Sequence, residues 1–501
     1  DVTRPVMDLF ACETGALLAC AAYLLEDDLN AVSPFILTCI EDNLKRRILL
    51  PYLTAHFWWM GHDDEPMCNW TVWCTQNVLL TTFLMPWSVE MSSRLSSPVR
   101  TFCGNAPLFL PENTSDTVVT LQAILHKAAE SCDYFLKDYG NDGCCEEGAQ
   151  YYRHAGLCLY GAMTVLNTVT DGHFDTLFRW DKVKNIASYI LNVHVNDKYY
   201  FNFADCSPIA GRAGVREYLF GKATGQADLC LFAAKDFQAG QGQLVTDEVN
   251  GGNLFYRMQT VFHYEELMQQ NTSGTLSHRD VYYPSVGLFL VHSDTLDLAV
   301  KAGDNADSHN HNDTGSITLY KNGLPILADI GVETYTRKTF SPRRYEIWTM
   351  QSGYHNLPTI CGTDQKDGVE YRAEKVVTEL TGAEPSISME LAAAYPDAGA
   401  VVPGLTYSRR VTLKKSSNTV VLEDHTNAQD VILNFITYEK PVILSDGKLS
   451  IGEASTSFEG ADLLAIETLP ITDARLKTAW DHDLYRIRLK GSDASFRLTI
   501  Q

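Results

Sequence analysis

The feature that most constrains the fold is a change in the spacing of apolar residues about halfway along the chain. From Asp8 to about Gln241 the apolar residues recur at helical intervals, as in the Ala- and Leu-rich segment 9–25. Beyond a Gly-rich break at 239–242, short β-branched runs alternate with polar residues, as in 409–414. The two halves of the chain are therefore expected to form different kinds of secondary structure.

The length of the chain agrees with a division into two domains. At 501 residues it exceeds the size at which a single hydrophobic core usually keeps growing. We expect an array of helical hairpins at 1–242 and an antiparallel β domain, a large sandwich, at 243–501.

Composition limits the classes of partner and the compartment. A formal net charge of −22 argues against nucleic-acid binding, and a polyanionic ligand would have to meet a local basic patch. Because no apolar run approaches the roughly 20 residues that span a bilayer, a soluble protein without a membrane partner is expected. The chain begins without an initiator Met or a signal segment, so location in the bacterial cytoplasm and export both stay open. A homo-oligomer also stays open as a partner. The distribution of the 13 cysteines along the chain is not typical of a disulfide framework, and most of them are expected to be reduced and buried.

The β half carries a set of residues suited to a metal. His309 and His311 stand two apart, and Asp329 and His355 follow. Two imidazoles and a carboxylate on neighbouring strands suit zinc, with a water or a substrate as the fourth ligand. Because side chains alternate along a strand, His309 would face the same cavity as His311 and could contact a substrate. The alternative is a pair of unrelated surface histidines beside a turn.

Three further segments could contact a ligand. In 69–73 (NWTVW), aromatic rings and an amide suit a sugar-binding groove, although a helix-packing core would use the same residues. In 141–154, a tyrosine next to Arg153 and His154 would have its pKa lowered by positive charge and could move a proton, unless the segment is an ordinary turn. In 334–348, four Lys or Arg residues within eight positions could form a patch for an anion, or a solvated loop.

Taken together, these motifs resemble the heparinase II/III-like superfamily of polysaccharide lyases. The segments that carry the resemblance occur in the family's order: DLFACETGALLA, FWWMG, NWTVW, DGCCEEGAQYY, SHNHNDTGSITLYKNGLPILADIGVETYT and RRYEIWTMQSGYHNLPTI. The resemblance implies an N-terminal, incomplete α/α toroid followed by a large C-terminal antiparallel β-sandwich. It also implies an enzyme that acts on an acidic polysaccharide.

The resemblance assigns roles to individual residues. The implied zinc ligands are His311, Asp329 and His355, with the ion in a structural or site-shaping role. The implied catalytic residues are Tyr151 or, one position later, Tyr152, with His309, and with Asn69 on the uronate carboxylate. The expected substrate contacts are Trp70, Trp73, Arg153, Arg343 and Arg344.

The reaction implied by the resemblance is β-elimination on a uronic-acid-containing polysaccharide. Heparan sulfate, chondroitin sulfate and hyaluronan are the leading substrates, and alginate or another polyuronate is the next. A glycoside hydrolase on an α/α toroid is one alternative, for which Glu146, Glu147 and Asp205 are the available carboxylates. A non-catalytic glycan-binding protein is the other.

Overall fold

A computed structural model describes residues 6–88, 121–242, 253–276 and 278–501. The chain divides into two compact units. The helical unit comprises Asp1–Gly140, Tyr152–Ala187 and Arg212–Gly274, and the β unit comprises Asn141–Tyr151, Ser188–Gly211 and Thr275–Gln501. This division differs from the predicted boundary at 242/243, because the helical unit continues to Gly274 and two segments of the helical half belong to the β unit.

Helices make up most of the described helical unit. In chain order the helices of the first half are α1 (Leu9–Leu24), α2 (Glu26–Val32), α3 (Phe35–Leu44), α4 (Leu50–Thr54), α5 (Asn69–Leu84), α6 (Leu121–Asp138), α7 (Gly148–Tyr152), α8 (Gly156–Val169), α9 (Asp181–Asn192), α10 (Val215–Thr224), α11 (Ala227–Ala239) and α12 (Leu254–Met268). Helices α7 and α9 each run from one unit into the other. The spacing of apolar residues near 117–136 also predicts a helix, which agrees with α6 from Leu121 onward. Residues 117–120 lie outside the described part of the chain.

Close packing of α1 on α5 organises the helical unit. The N-cap of α1 is Asp8, whose carboxylate accepts the backbone N–H of Ala11 at 2.8 Å. A Cβ at Gly15 would lie 3.0 Å from Thr81 Oγ1, so the absence of a side chain there lets the two helices approach. In the described residues no single helix is long and apolar enough to cross a bilayer. Only α1 and α2 taken together pass that test, with an 86° bend between them.

The β unit contains two large antiparallel sheets. Its strands are β1 (His194–Asn196), β2 (Tyr199–Tyr200), β3 (Val281–Tyr283), β4 (Leu288–His292), β5 (Leu296–Lys301), β6 (Asp304–Asn305), β7 (Ile317–Lys321), β8 (Leu324–Leu327), β9 (Pro358–Ile360), β10 (Gly368–Arg372), β11 (Glu374–Glu379), β12 (Ser386–Glu390), β13 (Tyr407–Lys414), β14 (Thr419–Thr426), β15 (Val431–Thr437), β16 (Val442–Ser445), β17 (Lys448–Ile451), β18 (Ala454–Glu459), β19 (Ala461–Leu469), β20 (Leu484–Gly491) and β21 (Ser495–Ile500). One sheet has the order β11-β12-β13-β14-β21-β18-β17-β16. The other has the order β19-β20-β15-β8-β7-β5-β4-β3, and β9 pairs with β15.

The core of the β unit lies between these sheets. Leu298 and Leu319 of one sheet and Val411 and Leu422 of the other belong to the same cluster of buried apolar side chains. Strand β5 contributes the alternate residues Leu296, Leu298 and Val300 to that cluster, which is the pattern expected for a strand of two face-to-face sheets. The two short helices α13 (Pro396–Val401) and α14 (Leu476–Ala479) lie in the connections. The prediction of a β-sandwich in the second half agrees with this arrangement.

The expectation of reduced cysteines is also met in the described residues. All twelve described cysteines are free, and eight of them are buried. They act there as small apolar side chains.

One buried ion pair joins the eight-stranded sheet to the loops that surround the candidate site. Arg409 on β13 donates to both carboxylate oxygens of Asp424 on β14, at 2.9 and 2.8 Å. The same guanidinium donates to the carbonyls of Gly315 and Asn356, both at 2.8 Å. Gly315 ends the loop that holds His309 and His311, so the hydrogen bond from Arg409 holds the end of that loop in place.

Replacing Arg409 by Leu is expected to destabilise the β unit by about 3–5 kcal/mol, because the buried carboxylate of Asp424 would lose its cation. Arg410 is the matched control, since it is the next residue on the same strand and is exposed. Arg410→Leu should change the free energy of unfolding by no more than about 0.5 kcal/mol. Urea unfolding of both variants measures the difference, and equal losses would contradict the role given to Arg409.

Candidate active site

The candidate site lies in the β unit and centres on the carboxylate of Asp205, whose side chain is 0% exposed. Its Oδ2 lies 2.8 Å from His309 Nδ1 and accepts the hydroxyl of Tyr335 at 3.0 Å. Its Oδ1 lies 3.0 Å from His311 Nε2 and accepts Arg344 Nη2 at 2.6 Å. Four side chains from a distant part of the sequence therefore meet on one buried carboxylate.

The charge of Asp205 is maintained by these partners. Burial acts to raise its pKa, but the hydrogen bonds from His309 and His311 and the charge of Arg344 outweigh burial. The pKa of Asp205 is therefore held well below its ordinary value of 3.8. An ionised Asp205 accepts hydrogen bonds only, so His309 Nδ1 and His311 Nε2 are the nitrogens that carry protons toward it.

His309 and His311 lie in the loop before β7, so the prediction that strand alternation aligns them is wrong. His309 has a left-handed backbone with φ of 59°, which turns the chain between the two rings. Arg344 Nη2 holds this loop by donating to the carbonyl of His309 at 2.8 Å and to that of Asn310 at 3.0 Å. The two imidazoles share Asp205 because of this turn rather than because of a strand.

Helix α7 brings Tyr151 to the same cluster. Gly148, which starts the helix, has φ of +84°, and a Cβ there would lie 2.6 Å from the Cβ of Cys206. Only glycine allows this approach to the segment that carries Asp205. The Tyr151 ring stacks on that of His309 at a centroid distance of 4.9 Å, and its hydroxyl lies 2.6 Å from that of Tyr335.

Tyr151, rather than Tyr152, is the tyrosine that reaches this cluster. Tyr152 is fully buried and donates its hydroxyl to the carbonyl of Ala187 at 3.2 Å, within the helical unit. The expected lowering of the tyrosine pKa is wrong for Tyr151. Burial raises the pKa of Tyr151, and the opposing effects of the Tyr335 hydrogen bond and the Arg475 charge are smaller. The phenol is therefore protonated at neutral pH.

Sequence reasoning missed Tyr335 and Arg475 and weighed Asp205 only as a hydrolase carboxylate. The guanidinium of Arg475 lies 4.7 Å over the Tyr335 ring and donates to the backbone carbonyl of Asp205 at 3.0 Å. Tyr335 stands in the basic segment, where only the cations drew attention. Arg475 lies far along the chain, immediately before α14, and no sequence motif identifies it.

A cavity of about 530 Å³ opens beside His309 in the β unit. This volume lies within the range of sites that hold small ligands. The cavity is lined by Asn305, Ala306, Asp307, Ser308, His309, Asn310, Thr339, Phe340, Ser341, Arg344, Tyr345, Asp367 and Gly368. The loop of His309 and the basic segment thus form its two walls.

The predicted zinc ligands lie together behind His309. His355 Nδ1 is 2.9 Å from Asp329 Oδ2, and the rings of His311 and His355 are 5.5 Å apart. His311 Nδ1 and His355 Nε2 are buried and have no hydrogen-bond partner among the described residues. Two such nitrogens and a buried carboxylate suit zinc, although the three donor atoms do not all lie within 4.8 Å of one another. Binding would therefore require a shift of at least one of these side chains.

The basic segment is mostly neutralised by its own neighbours. Lys338 and Arg343 both pair with Glu346, at 3.2 and 2.8 Å. Arg344 lines the cavity, and its guanidinium is already bonded to Asp205 and to backbone carbonyls. Arg337 is exposed and has no ion-pair partner among the described residues.

The remaining predicted residues belong to the helical unit. Asn69 starts α5 and is buried, and Trp70 packs against Trp58 with ring centroids 5.2 Å apart. The Trp73 ring lies 4.1 Å from that of His154. Arg153 is buried and forms an ion pair with Glu217 at 3.3 Å, so its guanidinium is a structural group of this unit rather than an exposed substrate contact.

Comparisons with known proteins agree with the fold. Residues 275–432 match the family model "Heparinase II/III-like, C-terminal". A heparinase III structure aligns with 13% identity and a TM-score of 0.56 over 88% of this chain and 60% of that one. A heparan sulfate lyase from Pedobacter heparinus aligns with 12% identity and a TM-score of 0.53 over 88% and 61%. A comparison with curated proteins gives no match.

A chondroitin AC lyase from Streptomyces coelicolor A3, solved with chondroitin sulphate, aligns with 9% identity and a TM-score of 0.53 over 98% of this chain and 74% of that one. The chain spans about three fifths of the length of the two heparinase-type structures, since it covers 60% and 61% of them. At these identities the likeness concerns the fold. The predicted class, an α/α toroid followed by an antiparallel β-sandwich, is confirmed.

Arg344→Met is expected to lower the free energy of unfolding by about 3 kcal/mol, because the buried carboxylate of Asp205 would lose the guanidinium that donates to it. Arg343 is the matched control, since its side chain is 70% exposed and pairs with half-exposed Glu346. Arg343→Met should cost about 0–1 kcal/mol. Denaturant unfolding gives both values, and amide exchange should be faster at Asn310 in Arg344→Met alone. Matching losses in the two variants would contradict the assignment.

Proposed function

We propose that this chain, whose residues 275–432 match the heparinase II/III-like C-terminal family model, is a polysaccharide lyase that cleaves a uronic-acid-containing chain by β-elimination. The observation that carries the proposal is the contact of Tyr151 with Tyr335 and His309 beside a cavity. Glycosaminoglycans of the heparan sulfate, chondroitin sulfate or hyaluronan type are the leading substrates. Alginate or another polyuronate is the next.

Elimination needs three groups at one place. The proton at C5 must be removed, the enolate-like charge on the uronate carboxylate must be neutralised, and the departing O4 must receive a proton. Tyr151 suits the last task, because its raised pKa keeps the phenol protonated. Its hydrogen bond to Tyr335 gives the phenol a partner through which a proton could be replaced.

His309 is the proposed base for a substrate whose C5 proton lies on the face opposite O4. Asp205 holds Nδ1–H, which leaves the Nε2 lone pair to accept a proton. Glu147 Oε2 lies 3.4 Å from that Nε2, so the imidazolium formed would lie between two carboxylates. When C5–H and O4 lie on the same face, Tyr151 would serve as both base and acid.

The uronate carboxylate is the part of the substrate for which the β unit offers few cations. Arg343 and Arg344 are already paired, so Arg337 is the proposed charged contact from the basic segment. Asn69 is the proposed neutral donor from the helical unit, with Trp70 and Trp73 as the proposed stacking surfaces. The assignments of Asn69, Trp70 and Trp73 follow the resemblance in sequence.

A glycoside hydrolase is less well supported by the site. It would need one carboxylic acid with a raised pKa and a second carboxylate across the bond. Asp205 has a pKa below its ordinary range, and both Asp205 and Glu147 contact the same imidazole. Their side chains are 0% and 4% exposed, which does not suit direct contact with a sugar.

We also propose that zinc binds His311, Asp329 and His355. The support is the pair of buried imidazole nitrogens without hydrogen-bond partners and the adjacent carboxylate. When bound, the ion would supply a fixed positive charge and hold the His311 ring in place. His311 would in turn keep Asp205 in position for His309.

Tyr151→Phe is expected to lower kcat by about 10²- to 10⁴-fold, because the leaving oxygen would lose its proton donor. Tyr152→Phe is the matched control, since it removes the neighbouring hydroxyl, which donates to the carbonyl of Ala187. It should keep kcat and cost about 1 kcal/mol of stability. The assay follows ultraviolet absorbance of the C4–C5 double bond on heparan sulfate, chondroitin sulfate, hyaluronan and alginate. New reducing ends without that absorbance would identify a hydrolase, and binding without cleavage would identify a glycan-binding protein.

His311→Ala is expected to lose the zinc of the site around Asp329, whereas His309→Ala should keep it, because His309 is assigned to the sugar. Metal analysis after exhaustive dialysis measures zinc per chain for both variants and the parent. Both variants should lose lyase activity, so metal content separates their roles. Equal zinc loss in the two variants would contradict the assignment of His311 to the metal and of His309 to the substrate.

A further inference from the structure

A second group of possible metal ligands lies at the end of the nine-stranded sheet, among residues not assigned to the candidate active site. It comprises His278, His292 and Asp297, each of which offers one ligand atom, and these atoms all lie within 4.8 Å of one another. Among the described residues, this is the group of three His, Cys, Asp or Glu side chains that meets that spacing. The rings of His278 and His292 stack with centroids 5.1 Å apart.

The sheet fixes two of these residues before any ion binds. His292 ends β4 and faces Asp297 on β5 in the antiparallel register. His292 Nδ1 lies 2.7 Å from Asp297 Oδ1, which orients the imidazole and directs Nε2 away from the carboxylate. The backbone N–H of His292 also donates to Asp280 Oδ1 at 3.0 Å, so the segment that carries His278 is held against β4.

The imidazole nitrogens that remain have no protein partner. Nε2 of His292 and Nε2 of His278 are both buried without a hydrogen bond to any described residue. The His292 residue is 8% exposed, and an unpaired polar atom at that depth is costly. An imidazole nitrogen without a protein partner is an atom that a metal ion can satisfy.

We propose that His278, His292 and Asp297 form a second transition-metal site, separate from the one proposed around His311, and that it takes Zn²⁺. Two imidazoles and one carboxylate are a donor set of zinc, whereas Mg²⁺ and Ca²⁺ take oxygen ligands. The ion satisfies the two orphaned nitrogens, and Asp297 either binds it directly or holds the His292 ring behind it.

The position of the site gives the ion a structural task. His278 lies in the segment that leads into β3, while His292 and Asp297 belong to the β4–β5 pair. A bound ion would therefore link the segment before β3 to strands β4 and β5, near the edge of the sheet. The His194 ring of β1 lies 6.0 Å from that of His278, so the segment that carries Asp205 packs next to the same point.

Metal counting on the full chain tests the proposal. The parent, His278→Ala and Asp297→Asn are stripped with a chelator, titrated with Zn²⁺, desalted and analysed for zinc per chain. Both variants should hold one zinc equivalent fewer than the parent, whatever the parent's total. His425→Ala is the matched control, because His425 is exposed on β14 and bonds Ser495 Oγ, and it should hold the parent's amount. Zn²⁺ should raise the thermal midpoint of the parent more than that of His278→Ala, and Mg²⁺ should raise neither.

The His311→Ala chain distinguishes this site from the one in the proposed function. That variant should still bind one zinc equivalent and show the visible bands of tetrahedral Co²⁺, and adding His278→Ala should abolish both. Equal zinc in the parent and in folded His278→Ala and Asp297→Asn would overturn the proposal. If circular dichroism shows that those two variants do not fold, the zinc content of the His311→Ala chain is the deciding measurement. A His311→Ala chain that binds no zinc would overturn the proposed second site.

Discussion

The buried carboxylate of Asp205 is the interaction on which the candidate active site depends. It receives hydrogen bonds from two imidazoles, a phenol and a guanidinium, all of them from the β region after Thr275. A buried charge is tolerable only when its partners are held in place, so this cluster also restricts the backbone of the His309 loop. The same contacts that stabilise the charge therefore orient the groups that would act on a sugar.

Three features from other parts of the sequence allow this convergence on Asp205. Gly148 lets α7 approach Cys206 at a distance that no other residue could accept, and this places Tyr151 over His309. The left-handed backbone of His309 turns the loop so that both of its imidazoles reach one carboxylate. Arg409 supports the end of that loop from the opposite sheet. Each of these features is a small local constraint, and together they fix the positions of Tyr151 and His309 relative to Asp205.

Sequence patterns predicted the two kinds of secondary structure, the sandwich and several members of the site, because periodicity and the HxH and EGAQYY segments are local signals. They did not predict the central role of Asp205, since an isolated Asp in a loop has no periodicity and its partners lie more than 100 residues away. Arg344 was expected to contact the substrate because its charge is visible in sequence, whereas its pairing with Asp205 is not. The direction of the Tyr151 pKa was wrong for the same reason: adjacent cations in sequence said nothing about burial.

Charge pairing also constrains how an acidic polysaccharide could be held. The chain has a net charge of −22, so its overall field repels a polyanion. Around the cavity Lys301 is paired with Asp307 at 2.6 Å, and the cations of the basic segment other than Arg337 are paired as well. Attraction must then come from few charges and from neutral donors, whose hydrogen bonds depend on geometry rather than on charge density. Discrimination among uronate polymers would accordingly rest on the positions of hydroxyl and carboxylate groups more than on the number of sulfates.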